Sequence, residues 1–237
     1  SNGMLLSERE MGLSEDHEGI VELPEDTEIG APAAEIMGLS DPVIEIGLTP
    51  NRQDCAGIRG IARDLAAAGL GTLKPLDVAE PPVKWQRDFS ADSDDACPLA
   101  VGRYFRGVKN GPSPQWLQDR LRAIGLRPIS TLVDITNYAT FGLARPLHVF
   151  DAAKVSGDVT MRLARDGEKI TALDGEDYTL DSTMTVIADG NGVEAIGGIM
   201  GGEASGVSDD TTDVFVESAL FDPIRTATPG RKLGIMS

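Results

Sequence analysis

The chain has 237 residues with 21 lysines and arginines against 38 acids, a formal net charge of −17, and is 41% hydrophobic and 25% charged. That apolar content suffices for packed cores, while no apolar run approaches the roughly 20 residues of a spanning helix and the start lacks a secretory leader pattern, so a cytoplasmic protein without membrane contact is expected. The acid excess excludes a surface that holds phosphates broadly by itself, and Cys55 and Cys97, in unrelated segments, suggest neither a zinc site nor a disulfide.

From the start to about Met37 acids crowd the chain, among them Glu8, Glu10, Glu15, Asp16 and Glu18, and Pro24 and Pro32 interrupt it. No helix is expected there. Val43, Ile44 and Ile46 read as a short strand and Asn51 or Asp54 as a helix cap. Ile58, Ile61, Ala62, Leu65 and Ala66 then recur at helical spacing until Gly69 or Gly71, with Cys55 a small buried thiol of that helix. Arg52, Arg59 and Arg63 lie near Asp54 and Asp64, which predicts a salt-bridged surface. Pro75, Pro81 and Pro82, then the run from Ser90 to Asp95, mark a linker.

From Leu99 onward the pattern is that of a compact α+β domain. Ser113 caps and Pro114 opens a helix carrying Trp116, Leu117, Leu121 and Ile124, ended by Gly125. Ser130 caps a second helix whose Val133, Ile135 and Tyr138 bury one side, leaving Thr136 and Asn137 to offer donors and acceptors. Arg145-Pro146 breaks it and starts an extended run from Leu147 to Phe150 with His148 inside. Val159, Met161 and Leu163 alternate with Thr160 and Arg162 as a half-buried strand does, Asp166-Gly167 and Asp174-Gly175 supply turns, and Val186-Ile187 sits in another strand. Val214 to Leu220 makes the last strand, and Asp222-Pro223 opens a closing helix.

Within that last strand Glu217 is the single acid. A carboxylate in so apolar a strand loses water at a cost of several kcal/mol unless it gains partners, and from the strand alone a structural ion pair or a backbone hydrogen bond is the expected answer. The run from Gly197 to Gly202 lacks the ending of a phosphate-binding loop and reads as a sharp turn with close backbone approach. No serine or cysteine has a nucleophile setting. His17, in an acidic loop, reads as a solvated residue, and Trp85 and Trp116 read as packing residues, since no arginine-rich or aromatic stripe accompanies them.

The stretch from Leu126 to Asp151, LRPISTLVDITNYATFGLARPLHVFD, closely resembles the editing domain, called B3/B4, of the β subunit of bacterial phenylalanyl-tRNA synthetase. SNGMLLSERE, DPVIEIGLTPNRQDCAGIRGIARDLAAAG, LDGEDYTL, IGGIMGGEASGVSDDTTDVFVESALFDP and RKLGI keep the family order around it. The resemblance implies a B3/B4-type mixed α/β editing domain over 99–237, truncated at its C-terminus. Before it would stand the tail of a tRNA-binding OB-type domain (1–38), a B1-like strand-helix module (39–85) and a linker (86–98), all excised from a longer subunit.

The implied activity is hydrolysis of mischarged Tyr-tRNA(Phe). His148, Thr136 and Asn137 would orient the water, the ester and the ribose; Glu217 would receive the tyrosine hydroxyl; Gly198, Gly201 and Ala219 would line the pocket, without a metal. The parent enzyme, a heterotetramer of two α and two β subunits, would join phenylalanine to tRNA(Phe) with ATP and Mg²⁺ at a site on its α subunit, so this piece itself needs no cofactor. Its partners would be that α subunit and the aminoacylated 3′ end of the tRNA. A non-catalytic scaffold of the same subunit, binding tRNA or a partner, is the alternative.

Overall fold

The structure, a computed structural model, describes residues 4–14, 16–40, 42–78, 89–91 (as backbone) and 97–235. Contacts divide it into two units, Ser1–Ile44 and Glu45–Ser237. In the first, backbone turns prevail; the only described helix is the single turn α1, Ala33–Ile36. The Glu10 carboxylate closes one loop by accepting from the Ser7 amide and hydroxyl, 2.9 and 3.0 Å.

The expected strand at Val43, Ile44 and Ile46 is absent. Those residues have no pairing partner among the described residues and are 63%, 76% and 46% exposed, so β-branched composition alone does not make a strand. The helix after it also starts later than expected: a 3₁₀ turn, Gln53–Cys55, comes first, and α2, Ile58–Ala67, begins behind Gly57 with no side-chain cap. Glycine is required in that corner, because a Cβ on Gly60 would lie 1.9 Å from the Asp54 carbonyl oxygen. Cys55 is buried on the 3₁₀ turn rather than on the helix. The predicted salt-bridged surface is present: Arg52 pairs with Asp54 and Asp64, and Arg63 with the same two acids.

Among the described residues of the second unit, ten strands and three further helices follow. They are β1 Phe89–Ala91, β2 Leu99–Arg106, α3 Gln115–Ala123, α4 Thr131–Leu143, β3 His148–Asp151, β4 Val159–Leu163, β5 Lys169–Thr171, β6 Asp177–Thr179, β7 Thr185–Ala188, β8 Val193–Ile196, β9 Met200–Gly201, β10 Asp213–Leu220 and α5 Pro223–Leu233. Part of the expected linker is therefore strand: Phe89 to Ala91 runs parallel to β4 from Val159 to Met161. The rest of that linker, with Trp85, lies outside the described residues. The domain's first two helices are themselves preceded by β2, which pairs along its whole length with β10.

An antiparallel sheet in the order β2-β10-β3 faces a mixed sheet in the order β1-β4-β7-β8-β9, in which only β1 and β4 run parallel, and β5-β6 forms a separate hairpin. Phe150 and Phe215 of the first sheet share one core with Val159, Met161, Ile187 and Ala195 of the second. Alternation sends the intervening residues to the other face, where Val149 and Val214 pack on Leu132 of α4. The three-stranded sheet thus has a face turned to the larger sheet and a face turned to a helix.

Neither expected hydroxyl cap bonds its helix. Ser113 donates instead to Asp134 (2.6 Å), and Asp134 also accepts from the Ile129 amide (2.9 Å), tying α3 to the start of α4. Ile135 and Tyr138, expected inside, are 49% and 40% exposed, and Leu132 with Asp134 takes their place. Asp222 does cap α5, accepting from the Arg225 amide at 2.8 Å. No helix among the described residues is long and apolar enough to cross a membrane.

Candidate functional site

Strand pairing builds the site. Glu217 in the middle of β10 stands opposite His148 on β3 and opposite Gly102 on β2. Directly paired residues point to the same side, with Cβ atoms about 5 Å apart, so the carboxyl and the imidazole share the face turned to the larger sheet. Phe150 and Phe215, one step along, stand on that face too and end in the core. The His148 ring meets Phe150 edge to face at 4.3 Å between centroids.

Burial shifts both polar groups toward their neutral forms. Glu217 is 5% exposed and no described residue donates a hydrogen bond to it, and loss of water pushes its pKa up to about 7. Burial likewise pulls His148 down to about 4, and its Nε2 is buried with no hydrogen-bond partner. The carboxyl is felt nearby, because together with burial, the larger cause, it raises the Cys97 thiol. No ion pair joins Glu217 to a cation among the described residues.

The glycines divide between two places. Gly201, at the end of β9, lies flat against His148: a Cβ there would come within 2.2 Å of Cε1 and 2.9 Å of Nε2. Gly198, at φ +70°, lies instead against Phe221 and Thr226, at 3.0 and 3.1 Å from such a Cβ. Ala219 stands two residues beyond Glu217 on the same face of β10 and, with Phe221, flanks the core. His148, Gly201, Glu217 and Ala219 are therefore brought to one side of the small sheet, with Gly198 beside Phe221.

Thr136 and Asn137 are not joined to them by any described contact. They ride on α4, which at Leu132 packs on the opposite face. The Thr136 hydroxyl donates back to the Val133 carbonyl at 2.7 Å, so its proton is engaged within its own helix.

One residue was not singled out from the sequence. Thr185, at the start of β7, is 3% exposed, its hydroxyl has no partner, and its methyl group lies 3.2 Å from where a Gly197 Cβ would sit. Its spacing two residues before Ile187 places it on the inward face of the larger sheet. That spacing is the only sign the sequence carries, and it does not separate a functional threonine from an ordinary strand residue.

Comparisons with known proteins agree on one family. The B3/4 domain matches residues 96–237. The chain is 60% identical over 243 residues to the phenylalanine–tRNA ligase β subunit of Paramagnetospirillum magneticum and 58% identical over 239 residues to that of Mesorhizobium japonicum, in each case with 100% of this chain aligned. It spans 30% of the length of these relatives. Among solved structures, an N-terminal fragment of the phenylalanyl-tRNA synthetase β subunit from Pyrococcus horikoshii aligns with 77% of this chain and 59% of its own at 15% identity, with a TM-score of 0.45, too distant a likeness to add to the fold.

Proposed function

Since the chain belongs to the B3/4 domain family and its relatives are phenylalanine–tRNA ligase β subunits, we propose that it is the portion of such a subunit that hydrolyses tyrosine esters of tRNA(Phe). The observation that carries this reading is Glu217: a carboxyl 5% exposed, without a described donor, directly across the sheet from a histidine. An unsatisfied buried acid costs stability, and a phenolic hydroxyl is a group that would satisfy it.

The discrimination needed has a physical scale. Tyrosine differs from phenylalanine by one hydroxyl, and an apolar pocket rejects an added hydroxyl by only about a hundredfold. A second pocket that requires the hydroxyl reverses the selection, because a phenylalanine ring would leave the acid as unpaired as it is in the empty protein. With a pKa of about 7, the carboxyl can accept from the phenol when ionised or donate to it when protonated.

His148 is neutral at pH 7, its pKa being about 4. It is a weak base at that value, suited to hold and align a water rather than to strip its proton, which an activated ester tolerates. Gly201 presents no side chain to the imidazole. The assignment of Asn137 and Thr136 to the ribose hydroxyls rests on the family resemblance, since α4 packs at Leu132 on the other face of the small sheet; Thr136 would act as an acceptor, its proton being given to Val133. Domain boundaries follow the resemblance, with 1–38, 39–85 and 86–98 preceding the editing portion 99–237, and an α subunit, ATP and Mg²⁺ belong to the ligation reaction of the whole enzyme.

The experiment is deacylation. Tyr-tRNA(Phe) is incubated with the complete ligase and ester loss is followed; a rate well above buffer is expected. A rate equal to buffer contradicts editing and leaves the scaffold reading.

A further inference from the structure

Acids dominate the chain, but not evenly. From Leu99 to Val133 the cations Arg103, Arg106, Lys109, Arg120, Arg122 and Arg127 face the single acid Asp119, within a net charge of −17. All six are exposed. Arg106 and Arg122 pair with Asp213 and Asp119 at 3.7 and 3.5 Å, whereas no carboxylate pairs with Arg103, Lys109, Arg120 or Arg127 among the described residues.

Around Arg120 the cation is built into an aromatic surface. Its guanidinium lies 5.3 Å from the centre of the Trp116 ring and 5.9 Å from that of Tyr138, and it donates to the Tyr138 hydroxyl at 2.9 Å. Trp116 and Tyr138 meet edge to face at 5.7 Å and are 53% and 40% exposed. Trp116 was expected to pack inside without arginine company. The arginine one helical turn on and a tyrosine from the next helix supply what the linear sequence did not display.

We propose that the α3–α4 surface of Trp116, Arg120 and Tyr138, with Arg122 and Arg127 beside it, binds single-stranded RNA next to the aminoacylated end, an inference that rests on the editing reading above. Exposed aromatic rings stack on bases of any identity, and arginines held over rings keep N–H groups for phosphates. Charge complementarity selects the occupant: in so acidic a chain a polyanion is repelled elsewhere and finds cations here.

The test uses the complete ligase carrying Arg120→Glu or Trp116→Ala, with Arg120→Lys as the conservative variant. Deacylation of Tyr-tRNA(Phe) is compared with that of the 3′-tyrosyl ester of adenosine, which is too short to span both places. The expected result is a KM for Tyr-tRNA(Phe) raised about tenfold or more by Arg120→Glu and by Trp116→Ala, a smaller rise with Arg120→Lys, a shallower salt dependence, and unchanged hydrolysis of the adenosine ester. An unchanged KM for the tRNA in both disruptive variants overturns the proposal while leaving editing intact. So does loss of the α subunit from the purified Arg120→Glu enzyme at unaltered KM, which would make the surface a protein contact. Absence of hydrolysis of either ester by the unaltered enzyme is failure of the editing reading itself.

Discussion

Asp134 and Glu217 are carboxylates of the same domain, 0% and 5% exposed, and the protein treats them in opposite ways. Asp134 is met by the Ser113 hydroxyl and the Ile129 amide, so it joins two helices and has nothing left to offer. Glu217 meets no described donor and sits across from a histidine whose Nε2 is also unpartnered. Burial is common to both; what separates the two acids is whether the fold has answered them with a donor. Native proteins leave few buried polar atoms unpaired, and His148 Nε2 is one of them.

Removing each acid sharpens that contrast. Asp134→Ala is expected to cost about 2–5 kcal/mol in urea unfolding, because a buried hydroxyl and an amide lose their acceptor together; a loss below about 0.5 kcal/mol would mean the junction does not need it.

Glu217→Gln is expected to stabilise at high pH. The folded pKa of about 7 lies above the ordinary 4.5, so between those values the folded state holds more protons than the unfolded one, and stability falls as pH rises through that window. The amide variant is spared this loss: near pH 4.5 the two proteins should melt alike, and at pH 8 the variant should be more stable by up to about 3 kcal/mol. A pH-independent difference would show that the acid is not buried in the way described. His148 works in the reverse sense, its folded value of about 4 lying below 6.5, so its contribution is present above pH 6.5 and lost as pH falls toward 4. His148→Gln should therefore steepen the decline seen between pH 4.5 and 6.5.

Two smaller perturbations probe the rest of the face. Gly201→Ala places a methyl group 2.2 Å from His148 Cε1 and is expected to slow Tyr-tRNA(Phe) hydrolysis about tenfold or more through displacement of the ring; unaltered kinetics would separate Gly201 from the site. Thr185→Val removes a buried hydroxyl that has no partner among the described residues and should leave stability unchanged or raise it by about 1 kcal/mol; clear destabilisation would show that the hydroxyl is hydrogen-bonded.

Strand periodicity and turn residues made most of the B3/4 domain legible: β4, β7, β10 and the break at Arg145-Pro146 stand where their residues place them. Failures occurred where a neighbour decides. Val43, Ile44 and Ile46 had strand composition but no partner strand, β2 reads as an edge only once β10 is known, and Ser113 turned from its own helix to an acid 21 positions on. At the site, Glu217 and His148 were conspicuous as lone polar residues in apolar strands, yet their alignment depends on a register between distant strands that no local pattern specifies. Thr185 and the Trp116, Arg120 and Tyr138 cluster lacked any linear signature.

The most direct measurement is the ratio of hydrolysis rates of Tyr-tRNA(Phe) and Phe-tRNA(Phe) by the complete ligase, with and without Glu217→Ala. A hydroxyl-reading acid predicts a strong tyrosine preference that collapses in the variant while its melting temperature does not fall. An undiminished preference without the Glu217 carboxylate would contradict the account.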